Sequence, residues 1–442
     1  MHKYLPHTEE DIKEMLKVIE VSNLDDLFCN IPKELILHRD YHIPNQMDDI
    51  ELSKHLESLS NLNQRLKIFR GYGAYHVYTP SVVKSLTNRQ EFLTSYTPYQ
   101  PEVSQGTLQY IFEYQSLILE ITGMDVTNAS MYDGPTATAE AMLMALSHTQ
   151  KRKVIYSKTL HPKLIDVIKT YWHFRNVEFV ELPEKDGVTD FSDLDSVLEN
   201  SAAIILSNPN KYGIIEDYND ISKYTQKHKS LFILNHEIRS LALLKTPNEL
   251  GADIACGDLQ TLGMPLASGG AYAGYLASKN YLLRKLPGRI CGVTTDESGK
   301  RAFVLTLQAR EQHIRRAKAN SNICSNQSLM ALSAAIYLSW LGKNGFIELA
   351  KTLLNGAYTL KEKLIQTGYF EEVYHKPHFN EFVLKSKIHP KEFEEDLLEL
   401  GYLGPQYLGD QKFLFAYTEM LSPNDINDFV KKVGEIHAKH LR

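Results

Sequence analysis

Between Leu108 and Glu237, short apolar runs alternate with helix-forming stretches, and this alternation constrains the fold more than any other feature. The runs are Val154-Ile155-Tyr156, Val177–Val180, Ala202–Leu206 and Leu231–Leu234. Stretches of helical character, Lys163–Trp172, Phe191–Leu198 and Asn219–His228, separate them. Short, continuously apolar runs predict strands buried on both faces, and a helix between successive strands lets them lie parallel. The expected architecture is therefore α/β, a large domain with a mostly parallel sheet flanked by helices. Leu108–Thr122, ending at Gly123, and Thr138–Thr149 predict two helices ahead of the first strand. Ala252–Ala255 and Gly274–Ala277 continue the apolar runs beyond it.

The flanks read differently. Glu9–Val21 and Glu51–Leu66 predict helices, the first with Thr8 as N-cap, and Ile31–Glu34 starts a short helix with Pro32 in its first turn. Residues 69–109 are punctuated by Gly and Pro and carry Tyr72, Tyr75, Tyr78, Tyr96 and Tyr99. Such a loop-dominated, aromatic region suits a cleft or an interface. Arg310–Leu341 is expected to be a long helical region, broken by Gly342 and Gly345. A helix over Phe346–Thr367, strand-like runs at Phe382–Leu384 and Phe413–Ala416, and a last helix over Pro423–Leu441 predict a small C-terminal α+β domain. The expected division is an N-terminal helical arm over 1–68, the large α/β domain over 69–341 and the small domain over 342–442.

Composition excludes several classes. With 48 Lys+Arg against 54 Asp+Glu, the formal net charge is −6, without the basic excess of a nucleic-acid binder. No apolar run approaches the roughly 20 residues that span a bilayer, and the N-terminal residues lack the apolar stretch of a secretory signal. Cys29, Cys256, Cys291 and Cys324 are widely separated and show no metal-ligand spacing. No metal, no nucleic acid and no membrane are expected, and isolated thiols agree with a reducing, cytoplasmic setting.

Three local patterns bear on chemistry. In Asp133-Gly134-Pro135-Thr136-Ala137-Thr138, a Gly-Pro turn enters a helix, which reads either as an anion cup or as an ordinary capped helix start. His161 follows the Val154–Tyr156 strand, where ligands bind in open α/β sheets, or is a surface loop histidine. Glu237 ends the strand at Leu234, as a partner for a pyridinium nitrogen or as a solvated charge.

In this order the three resemble the large domain of fold type I pyridoxal-phosphate enzymes. That resemblance implies a phosphate at the helix start, His161 against the cofactor ring, Glu237 at the ring nitrogen, and a Schiff-base lysine after the next strand. Ala252–Pro265 holds no lysine; Gln260 stands at the expected position, and an amide cannot form an imine. The nearest lysine in sequence, Lys245, precedes the strand.

Longer blocks narrow the resemblance. Tyr96-Thr97-Pro98-Tyr99-Gln100-Pro101-Glu102-Val103-Ser104-Gln105-Gly106, Ala129–Gly134, Gly251–Ile254, Phe303–Arg316 and Ser321–Gln327 are similar to subunit 1 of the glycine decarboxylase P-proteins. So is the opening Tyr4–Asp11. Departures from that pattern fall at Asn208–Gly213, Arg70–Val77 and Asn235–Ile238.

The resemblance implies a fold type I subunit that binds no cofactor itself, with His161, Glu237 and Thr136 left in a vestigial pocket. Pyridoxal 5'-phosphate is then carried by a partner, subunit 2 of the P-protein, in a heterotetramer of equal numbers of both subunits. The pair would decarboxylate glycine and pass the aminomethyl group to the lipoyl arm of the H-protein, in the glycine cleavage system.

Tyr96, Tyr99, Gln100, Ser104 and Gln105 are candidates either for completing the partner's active site or for interface packing. Arg310 and Arg315, with His313 and Arg316, read either as a solvated face pairing with Glu311 or as a buried polar network at the subunit seam. Two other readings of the chain stay open from the residues: a stand-alone pyridoxal-phosphate enzyme with an unexpected lysine, and an assembly or regulatory paralogue without catalytic support.

Overall fold

The structure, a computed structural model, describes Tyr4 and residues 6–173, 175–319 and 321–440. Leu5 of the opening motif and Leu441 at the end of the expected last helix lie outside the described residues. The chain divides into two compact units, Met1–Gln64 and Arg65–Arg442. The first carries the helices Glu9–Ile19 and Asp49–Ser60, opened by capping boxes on Thr8 and Asp48. None of its described residues is buried, so it has no core of its own. The expected restart at Ile31–Glu34 is a single turn, Lys33–Leu35.

The second unit is built on a seven-stranded sheet in the order 126–127, 274–278, 254–258, 231–236, 201–208, 153–157, 178–182. Neighbours from 254–258 through 178–182 run parallel. Gly274–Ser278 runs antiparallel to 254–258, and Val126–Thr127 antiparallel to it in turn. Side chains alternate across the parallel strands. Val154, Ile205 and Ile233 face the Gly134–Thr149 helix and its Ala137, Ala141 and Ala145. Ile155, Ile204, Phe232 and Leu234 face the opposite layer, with Leu194, Tyr218 and Ile221. The continuously apolar strands are thus explained by burial on both faces.

The C-terminal part forms a four-stranded antiparallel sheet in the order 371–372, 381–385, 412–416, 406–409. Phe382, Leu384, Phe413 and Phe415 pack there with Phe393 and Phe429. The helix Ser328–Gln366 leads into this region and breaks at Gly342, whose φ of 60° and ψ of 178° leave the helical range.

One expectation is overturned. Arg310–Leu341 is not a continuous helix: short turns occupy Gln308–Arg310, Gln312–Arg315 and Arg316–Lys318, and the long helix begins only at Ser328. Leu307 and Arg316 adopt positive φ at the edges of these turns. Arg310 and Glu311 turn inward rather than lying along a solvated helix face. The preceding segment folds back as a hairpin, Ile290–Thr295 against Arg301–Thr306. Among the described residues, no helix is long and apolar enough to cross a membrane.

Candidate functional site

Three strand ends and one helix start meet at a cavity of about 380 Å³ at the carboxyl edge of the parallel sheet. His161 enters after the Lys153–Ser157 strand, Glu237 after Leu231–His236, and Gln260 after Ile254–Asp258. Gly134 opens the helix Gly134–Thr149 beside them. A Cβ at Gly134 would lie 2.8 Å from Asp258 N, so only glycine lets the helix start this close to the strand end. The three residues that sequence patterns single out are therefore brought to one cavity. Thr136 sits in the first turn of the same helix, buried, while Asp133, Gly134 and Pro135 form the wall.

The helix start can be accounted for donor by donor. Gly134 N donates to Asp258 Oδ2 at 3.0 Å, and Pro135 has no N–H. Thr136 N donates to Asp133 Oδ1 at 2.7 Å, and Ala137 N to the Asp133 carbonyl at 3.0 Å. The donors that make a helix N-terminus attractive to an anion are all taken by the chain itself. Asp258 also accepts from Gln260 N at 2.7 Å. Burial raises the Asp258 carboxyl to about 6 even so, with Asp133 adding to the rise.

Gln260 is equally occupied. Its Oε1 accepts from Tyr75 N at 2.9 Å, and its Nε2 donates to the carbonyls of Tyr75 at 2.8 Å and Met264 at 2.7 Å. Glu237 accepts from Arg239 Nε at 2.8 Å and from Ser240 N at 3.0 Å. Arg239, fully buried, lies between Glu237 and Glu419. The His161 ring packs against Tyr72 at 4.2 Å, its Nδ1 accepts from Lys163 N, and burial holds its pKa below the ordinary value.

Sequence patterns gave no sign of Glu381, which arrives from the small C-terminal sheet. It accepts from Tyr72 N at 2.7 Å and from Tyr75 Oη at 2.8 Å, and burial pushes its pKa up to about 7. No local signal marks a residue whose partners lie some three hundred positions away in the chain. Asp258 stands two residues before Gln260, and nothing in the local sequence distinguishes it from a solvated strand-end acid.

These residues do not fit pyridoxal phosphate. The phosphate would face Asp133 and Asp258 in place of free N–H groups. The pyridine nitrogen would compete with Arg239 for Glu237. The lysines on the cavity wall are Lys163 and Lys211, not Lys245. Lys211 Nζ is held by Glu184 at 2.9 Å and the Lys158 carbonyl at 2.7 Å, and Lys163 is a largely exposed side chain. Among the described residues, no group of His, Cys, Asp or Glu is arranged to hold a metal ion.

The other sequence candidates divide between several places. Gln105 is a staple: its Nε2 donates to the Phe303 and Pro101 carbonyls and its Oε1 accepts from Phe303 N. Gln100 and Ser104 bracket the short turn Pro101–Val103. Tyr96 is 83% exposed, and Arg315 is exposed as well. Tyr99 and Arg310 converge on a corner that also contains Arg289, Glu311, His313 and Asn326. Tyr99 Oη accepts from Arg289 Nη2 at 3.1 Å, and the guanidinium carbon lies 5.2 Å from the Tyr99 ring centre. Arg310 Nη1 donates to the carbonyls of Leu286 and, at 2.6 Å, Gly288. Arg289 carries no local sequence signal and was not anticipated.

Comparison with known proteins places this geometry. A probable glycine dehydrogenase (decarboxylating) subunit 1 from Anoxybacillus flavithermus is 45% identical over 448 aligned positions, covering 99% of this chain and 100% of that protein. The protein of the same description from Geobacillus sp. is 46% identical with equal coverage. The crystal structure of a glycine decarboxylase (P-protein) of the glycine cleavage system, in inhibitor-bound form, superposes with a TM-score of 0.89 at 39% identity, covering 98% of this chain and 99% of that one. A glutamate decarboxylase from Lactobacillus brevis shares the fold alone, with a TM-score of 0.70 at 9% identity. The family described as glycine cleavage system P-protein matches residues 2–433. With that match spanning almost the whole sequence, the chain belongs to the glycine cleavage system P-protein family.

Proposed function

We propose that this chain is the cofactor-free subunit of a two-subunit glycine decarboxylase acting in the cytoplasm. Its partner, subunit 2, carries the pyridoxal phosphate. Together, as a heterotetramer, they decarboxylate glycine and deliver the aminomethyl group to the lipoyl arm of the H-protein. Curated relatives named subunit 1 support the existence of a partner.

The observation that carries the division of labour is the bonding at the imine position and at the adjoining helix start. Gln260 replaces an imine-forming amine by an amide whose oxygen and nitrogen are both bonded, and the N–H groups of the adjoining helix start are spent on Asp133 and Asp258. What this chain contributes is positioning. Gln260 clamps Tyr75, and Tyr75 and Tyr72 are tied to Glu381, so the large sheet, the 69–78 segment and the C-terminal sheet hold one another. A fixed scaffold of this kind lets loops such as 96–105 present Tyr96, Tyr99, Gln100 and Ser104 to the partner's site in one geometry.

Reconstitution tests the reading. Subunit 2, a lipoylated carrier and pyridoxal phosphate should exchange bicarbonate carbon into glycine only when this chain is added. Exchange that is independent of this chain would overturn the proposal and favour a paralogue without catalytic support.

A further inference from the structure

We propose that Arg310, backed by Arg289, forms half of an oxyanion site that takes one carboxylate or phosphoryl group from outside this chain. The argument is an accounting of charge and donors. Arg310 uses Nη1 on the carbonyls of Leu286 and Gly288, while its Nε and Nη2 are buried and meet no partner. Those two nitrogens share one edge of the guanidinium, the edge that receives a carboxylate or phosphate through two parallel hydrogen bonds. Arg289 is 3% exposed, and its Nε is also buried without a partner.

The chain supplies too little negative charge to close this corner. Glu311, 6% exposed, is the carboxylate that interacts with both Arg289 and Arg310. Its Oε2 stands 4.0 Å from Arg289 Nε and 3.7 Å from His313 Nδ1, and its Oε1 meets no donor. The remaining contacts of Arg289 are neutral: the Tyr99 hydroxyl and ring, and Asn326 Oδ1 at 3.5 Å. Two guanidiniums that stay protonated against one carboxylate leave an uncompensated positive charge in a buried place. Burial accordingly lowers the Arg310 pKa, which Glu311 offsets only in part. An unpaired buried cation with an unsatisfied bidentate edge is costly, and an incoming oxyanion removes that cost.

The assignment of the anion to the assembled enzyme rests on the two-subunit reading; the accounting itself does not. The site is separate from the cavity at the sheet edge, where the N–H groups of the helix start are bonded within the chain.

The test uses the full chain first, alone. Inorganic phosphate should raise its thermal midpoint in a saturable way, and Arg310→Lys, which keeps the charge but loses the edge, should weaken phosphate binding roughly tenfold to a hundredfold. Arg289→Lys is the second variant, and circular dichroism without phosphate reports whether each variant folds. With subunit 2 added, a tenfold weaker association of the Arg310→Lys chain at unchanged KM for glycine identifies a side-chain carboxylate of the partner as the anion. Unchanged association with a raised KM for glycine or for pyridoxal phosphate identifies the small molecule. Equal phosphate response, association and KM in wild type and both folded variants would overturn the proposal. If the wild-type pair is inactive, the two-subunit reading fails, and the phosphate arm on the single chain still decides this one.

Discussion

At the carboxyl edge of the sheet, Gln260 gives its oxygen to Tyr75 N and its amide protons to two carbonyls, whereas at the Gly288–Glu311 corner Arg310 leaves Nε and Nη2 unbonded. Both regions are polar and largely buried. They differ in where their partners come from. In the first, carboxylates of the chain fill the helix start and an amide bridges two segments. In the second, donors outnumber the acceptors that the chain provides. Since buried polar groups are almost always bonded, the bonded helix start and the fully bonded Gln260 read as scaffold and the unpaired arginine edge as a seat for an anion; His161 Nε2, His236 Nε2 and Thr261 Oγ1 on the cavity wall are also buried without partners.

The contrast breaks most sharply at Gln260. Gln260→Lys places an ammonium where the side chain is 1% exposed and its three hydrogen bonds are lost. Destabilisation of about 3–5 kcal/mol is expected in urea unfolding, with no imine absorption when pyridoxal phosphate is added. A stable variant with a visible imine band would show that the pocket is still a cofactor site.

Next in size is the pH dependence. Burial raises Glu381 from an ordinary value of 4.5 to about 7, so the folded chain keeps a proton that the unfolded chain releases. Stability is then fully present below about 4.5 and falls as pH rises towards about 7, by up to about 1.4 kcal/mol per unit. Asp258, raised to about 6, adds to the same slope. Glu381→Gln should flatten much of it, as read from unfolding midpoints between pH 5 and 8.

Asp258→Ala comes third. It uncaps Gly134 N and should cost about 1–2 kcal/mol. It sharpens the comparison by freeing a donor at the helix start, so inorganic phosphate should stabilise this variant more than wild type. Arg310→Lys is the smallest effect on the isolated chain, about 1 kcal/mol, because a lysine ammonium can still donate to the Leu286 and Gly288 carbonyls and the edge it loses has no partner there. A loss as large as at Gln260 would erase the distinction between the two regions.

Much of the fold is legible in the sequence because burial on both faces writes itself as continuous apolar runs. Val154–Tyr156, Ala202–Leu206 and Leu231–Leu234 all lie within strands of the large sheet, and the break at Gly342 follows from a glycine that leaves the helical range. The Arg310–Leu341 expectation failed for the opposite reason. Charged residues at helical spacing look like a solvated face until tertiary contacts turn Arg310 and Glu311 inward. His161 is legible because strand ends are predictable positions, whereas Glu237 and Gln260 are placed by the resemblance to fold type I enzymes and not by spacing alone. Glu381 and Arg289 are not, since their importance lies in partners distant in the chain.

The central claim is that the imine-forming lysine belongs to the partner. Borohydride reduction of the assembled enzyme with pyridoxal phosphate, followed by peptide mapping, tests it directly. A pyridoxyl-lysine confined to subunit 2 is the predicted result; a pyridoxyl-lysine in this chain, at Lys163, Lys211 or elsewhere, would contradict it.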